Sequence, residues 1–580
     1  MPHRRRRHRR AAAVTSTAAV LAGLLAVVPG SPGAQADPTP APRRGEAWVT
    51  VPSVDSDHDG RDDRVHVRWR LPRAAEGPVP VVVEPSPYFA GLRDVRMHDV
   101  DVAALRRRTA RPWSSYRDWL LPEGYAYVTA ESLGSGGSTG CPTSGGRNET
   151  AAMTAVVRWL TGDLVGRGTD GGPVTAAWST GRVGMIGVSY NGTLPQATAT
   201  SGVEGLDAVV GVSAISSWYD YYRSQGMVRA PGGYQGEDAD VLARAVLTRN
   251  RPGRCREEIA SLRRRQARRT GDLTPFWQAR DYRAAAHQVS AGVLTLHGTA
   301  DDNVFSDQAG RWAEALAATG APVRSWWHPY GHGDWLADHQ PWRDQVLAWF
   351  DHFLRDADNG VLAATPASTL VTRAGRSRST TAWPGGEPTT LWAGPVRRHE
   401  GRLRTSPAAG GVGGLVDDAR HTLTRLARTP RSRHRLLWRS PRLVRPVDLS
   451  GHGSVDVRFS VDAEAANVSV GLVTLGHRHG QPVRLVSGGW ADPRNHASLA
   501  QESPLRPGEV YELSVELDQA LVRRVPAGVR LGLVVASSDH AHTLRPPAGT
   551  RVRVRVAGTR LVLPVVGGPG ALAVALGGAG

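Results

Sequence analysis

The stretch Arg182-Val183-Gly184-Met185-Ile186-Gly187-Val188-Ser189-Tyr190-Asn191-Gly192 decides the fold. A short apolar strand runs into a turn of small residues that carries one serine, and helix-compatible residues follow. A serine on such a strand-to-helix bend can attack a carbonyl while the next backbone N–H faces the oxyanion. The match to G-x-S-x-G departs at one place: Asn191 stands where the second glycine belongs, and Gly192 comes one residue later. A serine in a glycine-rich turn is also an ordinary turn, so the downstream partners settle the reading.

A serine nucleophile needs a base, and the base needs an orienting carboxylate, in the chain order Ser, then Asp or Glu, then His. Val293 to Gly298 reads as a buried strand ending in a glycine turn, followed by Thr299-Ala300-Asp301-Asp302-Asn303-Val304. Val323 to His328 reads as the next strand, followed by Pro329-Tyr330-Gly331-His332-Gly333-Asp334. Asp301 and His332 therefore fall just past carboxyl ends of strands, where open α/β sheets build their sites. The segment from Asp307 to Thr319 has helical spacing and no proline. Asp301 as a helix cap and His332 as a turn residue are the plain alternatives.

Outward from this core, strands and helix-like segments alternate from about residue 46 to 360, which predicts an α/β fold with a parallel sheet. Residues 46–215 and 287–360 form its two parts. Residues 216–286 interrupt the alternation with aromatics and Glu/Arg-rich helical spacing and no buried strand, and read as a helical cap over the site. From 366 to 566 helical runs nearly vanish and short alternating strands appear, the pattern of a β-sandwich or jelly roll. Gly567 to Gly580 is apolar, rich in glycine, and reads as a loose tail.

Residues 1–36 read as a secretory leader: six arginines between Arg4 and Arg10, an apolar centre from Ala11 to Val28, and an Ala34-Gln35-Ala36 cleavage site. The expectation is a secreted protein, free of the membrane once cleaved, exported by the general or the twin-arginine route. The chain has 71 basic residues against 53 acidic ones, for a net charge of +18. Its basic clusters, such as Arg263 to Arg265, lack a nucleic-acid motif or aromatic stacking pattern, so a solvated surface is expected and no nucleic-acid partner. The two cysteines, Cys141 and Cys255, suggest one disulfide in an exported chain, with two buried thiols as the alternative. Asp55-Ser56-Asp57-His58-Asp59-Gly60-Arg61-Asp62-Asp63 places carboxylates as calcium loops do, with Asp55, Asp57, Asp59 and Asp63 as ligands. No glutamate follows at the twelfth position, and a plain Asp-Gly turn is the other reading.

With Gly187-x-Ser189-Tyr190-x-Gly192 in place, the chain resembles the Xaa-Pro dipeptidyl-peptidase family and its relatives, the cocaine-esterase-like acyl hydrolases. The family's G-x-S-Y-x-G motif absorbs the displaced glycine, and Ala214-Ile215-Ser216-Ser217-Trp218-Tyr219-Asp220-Tyr221-Tyr222-Arg223 is similar to the proline-specific branch. The resemblance implies an α/β-hydrolase core with an inserted helical cap and a C-terminal jelly roll. It implies Ser189 as nucleophile, Asp301 as orienting acid (Asp302 being the neighbouring alternative) and His332 as base. The Tyr190 N–H and the hydroxyl of Tyr88, in Ser86-Pro87-Tyr88, would form the oxyanion hole. Trp218, Tyr221 and Val304 would wall the proline pocket, and Glu237 would anchor the substrate ammonium, a start-of-helix acid being its ordinary reading. The implied substrates are peptides with proline second from the N-terminus, and the implied chemistry needs no cofactor. An acyl esterase or amidase of the same superfamily is the first rival, and a secreted binding protein with an inert hydrolase half is the second.

Overall fold

A computed structural model describes residues 43–98, 116–229, 236–476, 483–544 and 549–578. The expected leader and its cleavage site, residues 1–36, lie outside these residues. Ten strands build the catalytic sheet: β1 (Arg44–Thr50), β2 (Arg64–Arg70), β3 (Val79–Ser86), β4 (Ala126–Glu131), β5 (Ser179–Val188), β6 (Leu206–Val212), β7 (Gly292–Gly298), β8 (Val323–His328), β9 (Ser368–Val371) and β10 (Ser377–Thr380). Two two-residue strands extend it beyond β1. The order is β10-β9-β8-β7-β6-β5-β3-β4-β2-β1, parallel from β9 to β4 and antiparallel at both edges.

Alternation across the pleat explains why both faces of this sheet are covered. Val183, Met185, Val209 and Val293 face a cluster with Trp159, Leu194 and Trp312. These come from helices α1 (Arg147–Thr161), α2 (Tyr190–Ala199) and α3 (Asp307–Ala317). Ile186, Val188, Ala208, Val210, Leu294 and Leu296 face the opposite way, toward Trp349 and Phe350 of α4 (Gln340–Arg355). The result is the three-layer α/β arrangement expected.

The insertion between β6 and β7 is helical, with one difference from expectation. It carries helices over Trp218–Tyr222, Ala239–Val246 and Arg256–Arg265. It also holds a small buried hairpin, Arg223–Ser224 paired with Met227–Val228, whose turn is made by Gln225 and Gly226 at positive φ. Two-residue strands are too short to leave a period in the sequence, which is why none was anticipated. Cys141 and Cys255 are joined in a disulfide that ties this insertion to the loop after Gly140.

After residue 386 twelve strands are hydrogen-bonded into one branched sheet around its own apolar core. The long strand Arg551–Val565 binds it together, pairing with Glu387–Ala393, Val412–Val416, Val447–Gly451 and Ser454–Val461. The tail expected to be loose is instead a helix over Gly568–Ala575. Leu572 and Ala575 sit one turn apart and are buried in the β-domain core. Tertiary burial of that stripe outweighs the low helix propensity of its glycines. Among the described residues no helix is long and apolar enough to cross a membrane.

Candidate active site

Ser189 sits between β5 and α2 at φ 61°, ψ −126°, a strained conformation for a residue with a Cβ. Its N–H donates to Val212 O at 2.8 Å, and its own carbonyl accepts the first helical bonds from Gly192 and Thr193. The bend is tight enough to explain both glycines. A Cβ on Gly187 would lie 2.4 Å from Asn191 O, and one on Gly192 would lie 2.6 Å from Gly187 O. The small residue is thus needed at 192, while Asn191 has room for a side chain whose Nδ2 is 3.4 Å from Glu84 Oε1.

Asp301 follows β7 and is fully buried. Its Oδ1 accepts the N–H groups of Asn303 and Val304, each at 3.0 Å, and its Oδ2 accepts Nδ1–H of His332 at 2.7 Å. His297 Nε2 lies 3.4 Å from the same Oδ2 and donates to Val304 O at 2.8 Å, closing the loop around the carboxylate. Burial by itself would raise this carboxyl's pKa. The charge of His332 and the hydrogen bonds from His297 and His332 outweigh burial and hold it well below the usual carboxylate range. The neighbouring Asp302 is exposed, so Asp301 is the acid that meets the imidazole.

The His332 loop and the serine turn are fastened to adjacent residues. Gly333 N–H donates to Ser213 Oγ at 3.3 Å, one residue beyond the Val212 carbonyl that holds Ser189. With Nδ1 engaged by Asp301, the other ring nitrogen of His332 faces away from the carboxylate, and the side chain is 19 % exposed. A serine hydroxyl, an imidazole and a buried carboxylate at the carboxyl ends of parallel strands of one sheet are equipped for nucleophilic attack on a carbonyl.

Around this centre the structure gathers aromatic rings and acids. Tyr88 follows β3, its N–H held by Ser86 Oγ at 2.9 Å, its ring edge-on to Tyr190 at 6.1 Å. Burial, and then the charges of Glu237 and Glu149, push its phenol well above the ordinary value, so at neutral pH it is a donor. Tyr190 donates its hydroxyl to Glu149 Oε2 at 2.6 Å and accepts from Gly145 N–H at 3.0 Å. Glu237 is buried, with Tyr222 Oη 3.4 Å from its Oε1. Tyr221 donates to Asn303 Oδ1 at 3.0 Å, which links the cap to the Asp301 loop.

Trp218 and Val304, expected as pocket walls, are both 0 % exposed. Trp218 backs the cluster, edge-on to Tyr190 and Tyr221, with Nε1–H on Tyr282 Oη at 2.9 Å. Val304 contributes its N–H and C=O to the Asp301 loop. Sequence reasoning assigned no role to Glu149, Tyr222, Asn303 or His297, although Tyr222 lies in the aromatic stretch quoted above and His297 ends the strand that leads to Asp301.

Asp55, Asp57 and Asp63 each place one carboxylate oxygen within 4.8 Å of the others. Asp55 also accepts the N–H groups of Asp59 and Gly60, Asp63 accepts from Ser56, and Asp57 Oδ2 pairs with Arg249 at 2.5 Å. Asp57 Oδ1 is buried without a hydrogen-bond partner. Asp59 pairs with Arg254 and stands outside the group of three. Arg263 to Arg265 lie exposed at the end of a cap helix.

The sequence profile of the X-Pro dipeptidyl-peptidase (S15 family) matches residues 59–334, and that of the X-Pro dipeptidyl-peptidase C-terminal non-catalytic domain matches residues 359–569. A Bacillus anthracis protein named "Putative Xaa-Pro dipeptidyl-peptidase" is 37% identical over 534 residues, covering 88% of this chain and 86% of its own. The Xaa-Pro dipeptidyl-peptidase of Lacticaseibacillus rhamnosus is 30% identical over 616 residues, covering 90% of this chain and 76% of its own. Among solved structures, an α-amino acid ester hydrolase superposes with a TM-score of 0.63 at 18% identity, over 93% of this chain and 100% of its own. That last likeness is one of fold.

Proposed function

Because the chain belongs to the X-Pro dipeptidyl-peptidase (S15) family, we propose that it is a serine exopeptidase that removes Xaa-Pro dipeptides from the free N-termini of peptides. Ser189 Oγ attacks the carbonyl carbon of the proline residue while His332 takes its proton, and Asp301 holds the imidazole in the tautomer that can do so. The Tyr190 N–H and the Tyr88 hydroxyl stabilise the oxyanion. His332 returns the proton to the leaving amine, and a water repeats the attack on the acyl-enzyme. Glu237 pairs with the substrate's α-ammonium, and the tyrosines around Trp218 receive the proline ring. The observation that carries this reading is the 2.7 Å bond from His332 to a buried Asp301, in a loop fastened beside the Ser189 turn.

Two reactions of the purified protein test it. Ala-Pro-p-nitroanilide should be cleaved, and a fluorophosphonate should form an adduct on Ser189, with both lost in Ser189→Ala. Turnover of a short-chain p-nitrophenyl ester with the nitroanilide untouched would point to the esterase rival. Absence of an adduct would leave only the binding protein.

The same proposal includes export, with cleavage after Ala36. It also includes a structural calcium ion held by Asp55, Asp57 and Asp63, supported by the partnerless Asp57 Oδ1. No step of the hydrolysis runs through that ion.

A further inference from the structure

We propose that Gln519, a residue of the C-terminal β-domain, is a positioning residue for the catalytic acid, so that this domain takes part in setting the rate. The inference rests on the role given to Asp301 above. Gln519 is buried, and its carboxamide is spent entirely on the loop that carries Asp301. Its Nε2–H donates to the Asp301 carbonyl at 2.5 Å. Its Oε1 accepts both the N–H of Ser306 at 3.0 Å and the Ser306 hydroxyl at 2.6 Å. One side chain thus grips residues 301 and 306, the two ends of the turn between β7 and α3.

The grip is itself fixed from behind. Gln519 N–H donates to Ser487 Oγ at 3.0 Å, Asp518 N–H donates to Gly488 O at 2.8 Å, and Ala520 N–H returns to Ser306 Oγ at 3.0 Å. Ser487 and Gly488 lie within the β-domain strand Arg484–Ala491. Within the catalytic half, the turn is held at Thr299 and Ala300 by the carbonyls of His328 and Tyr330, at Asn303 by Tyr221, and at the carboxylate by His297, His332 and the N–H groups of Asn303 and Val304, but none of these contacts reaches the Asp301 carbonyl. The 2.7 Å contact between Asp301 Oδ2 and His332 Nδ1 depends on where the Asp301 backbone stands, and Gln519 is the residue that reaches that backbone from outside the sheet. Its position 218 residues away in the chain makes the link invisible to local sequence patterns.

Misplacement of a reacting group by about 1 Å can cost about a hundredfold in rate. Gln519→Ala should therefore lower kcat on Ala-Pro-p-nitroanilide by about ten- to a hundredfold with little change in KM. Gln519→Met, of similar length and with no N–H or oxygen, fills the space and removes both contacts; it should show the same kcat loss at neutral pH, and it stands in if the alanine variant fails to fold. Gln225→Ala is the control. Gln225 donates to Ser514 O at 2.7 Å and accepts from Glu516 N–H at 3.0 Å, joining the same two halves away from the Asp301 turn, and its loss should spare kcat. Gln519 variants with the parent's kcat, or a loss no larger than that of Gln225→Ala, overturn the inference. A parent protein that forms no Ser189 adduct instead overturns the proposed function, and this inference with it.

Discussion

Asp301→Asn is the substitution whose outcome the structure constrains most closely. The Asp301 carboxylate has one oxygen facing two N–H donors, from Asn303 and Val304, and the other facing His332 Nδ1. An asparagine must turn its single carbonyl oxygen toward the two backbone donors, since an amide NH2 there would leave both unsatisfied. Its NH2 then points at His332 Nδ1 and lies beside His297 Nε2, which already donates to Val304 O. Donor against donor is avoided only if His332 moves its proton to Nε2. In the proposed mechanism that nitrogen accepts the Ser189 proton, so the base is held in the wrong tautomer.

Loss of the correct tautomer in a triad costs about 10⁴ in kcat, or about 5 kcal/mol at about 1.36 kcal/mol per decade. The assay is Ala-Pro-p-nitroanilide turnover under saturation, with the melting temperature measured in parallel. The lowered pKa of Asp301 means its ionised form stabilises the fold above the ordinary carboxylate range and loses that contribution as pH falls through the depressed value. The variant forgoes that contribution, so turnover is read well below its Tm. A folded variant with kcat within tenfold of the parent would refute the reasoning, because the amide would then have satisfied His332 in a way the two backbone donors forbid.

Other consequences are testable alongside. Glu237→Gln should raise KM for dipeptidyl substrates while leaving simple ester hydrolysis nearly intact; equal losses on both remove the ammonium-anchor role. Tyr88→Phe should lower kcat by about 10²–10³ if its hydroxyl meets the oxyanion, with the melting temperature unchanged. His452 of the β-domain bonds Asp307 and Glu314 of α3; burial works against its charge, but the two carboxylates raise its pKa to about 10. The stability it adds is therefore complete below the ordinary imidazole value and fades as pH rises toward 10, so His452→Gln should flatten the fall of Tm between pH 7 and 10. Calcium at a hundredfold excess over its Kd should stabilise the fold by about 2.7 kcal/mol, an effect absent from Asp57→Asn; equal melting temperatures in calcium and in chelator would remove the ion.

What could be read from the chain alone was whatever a few neighbouring residues determine. Ser189, Asp301 and His332 were legible because each follows a buried apolar run and a turn, and the order of a parallel sheet brings such strand ends together. The displaced glycine was visible as a departure, but its cause was not: only the backbone contact of Gly192 with Gly187 O shows which position cannot carry a Cβ. Side-chain partners were the recurrent loss. Trp218 was expected to wall a pocket, and the bond of its indole N–H to Tyr282 and its edge-on contacts with Tyr190 and Tyr221 left no local sign. Tyr190 was assigned through its backbone alone, whereas its hydroxyl is held between Glu149 and Gly145, fixing the first turn of the helix that follows Ser189. Glu149 and Gln519 have polar side chains whose roles depend on partners distant in sequence, so neither periodicity nor a motif marks them. The site is thus encoded at two ranges: strand-end turns choose the reacting groups, and buried hydrogen bonds between distant segments set the distances on which their chemistry depends.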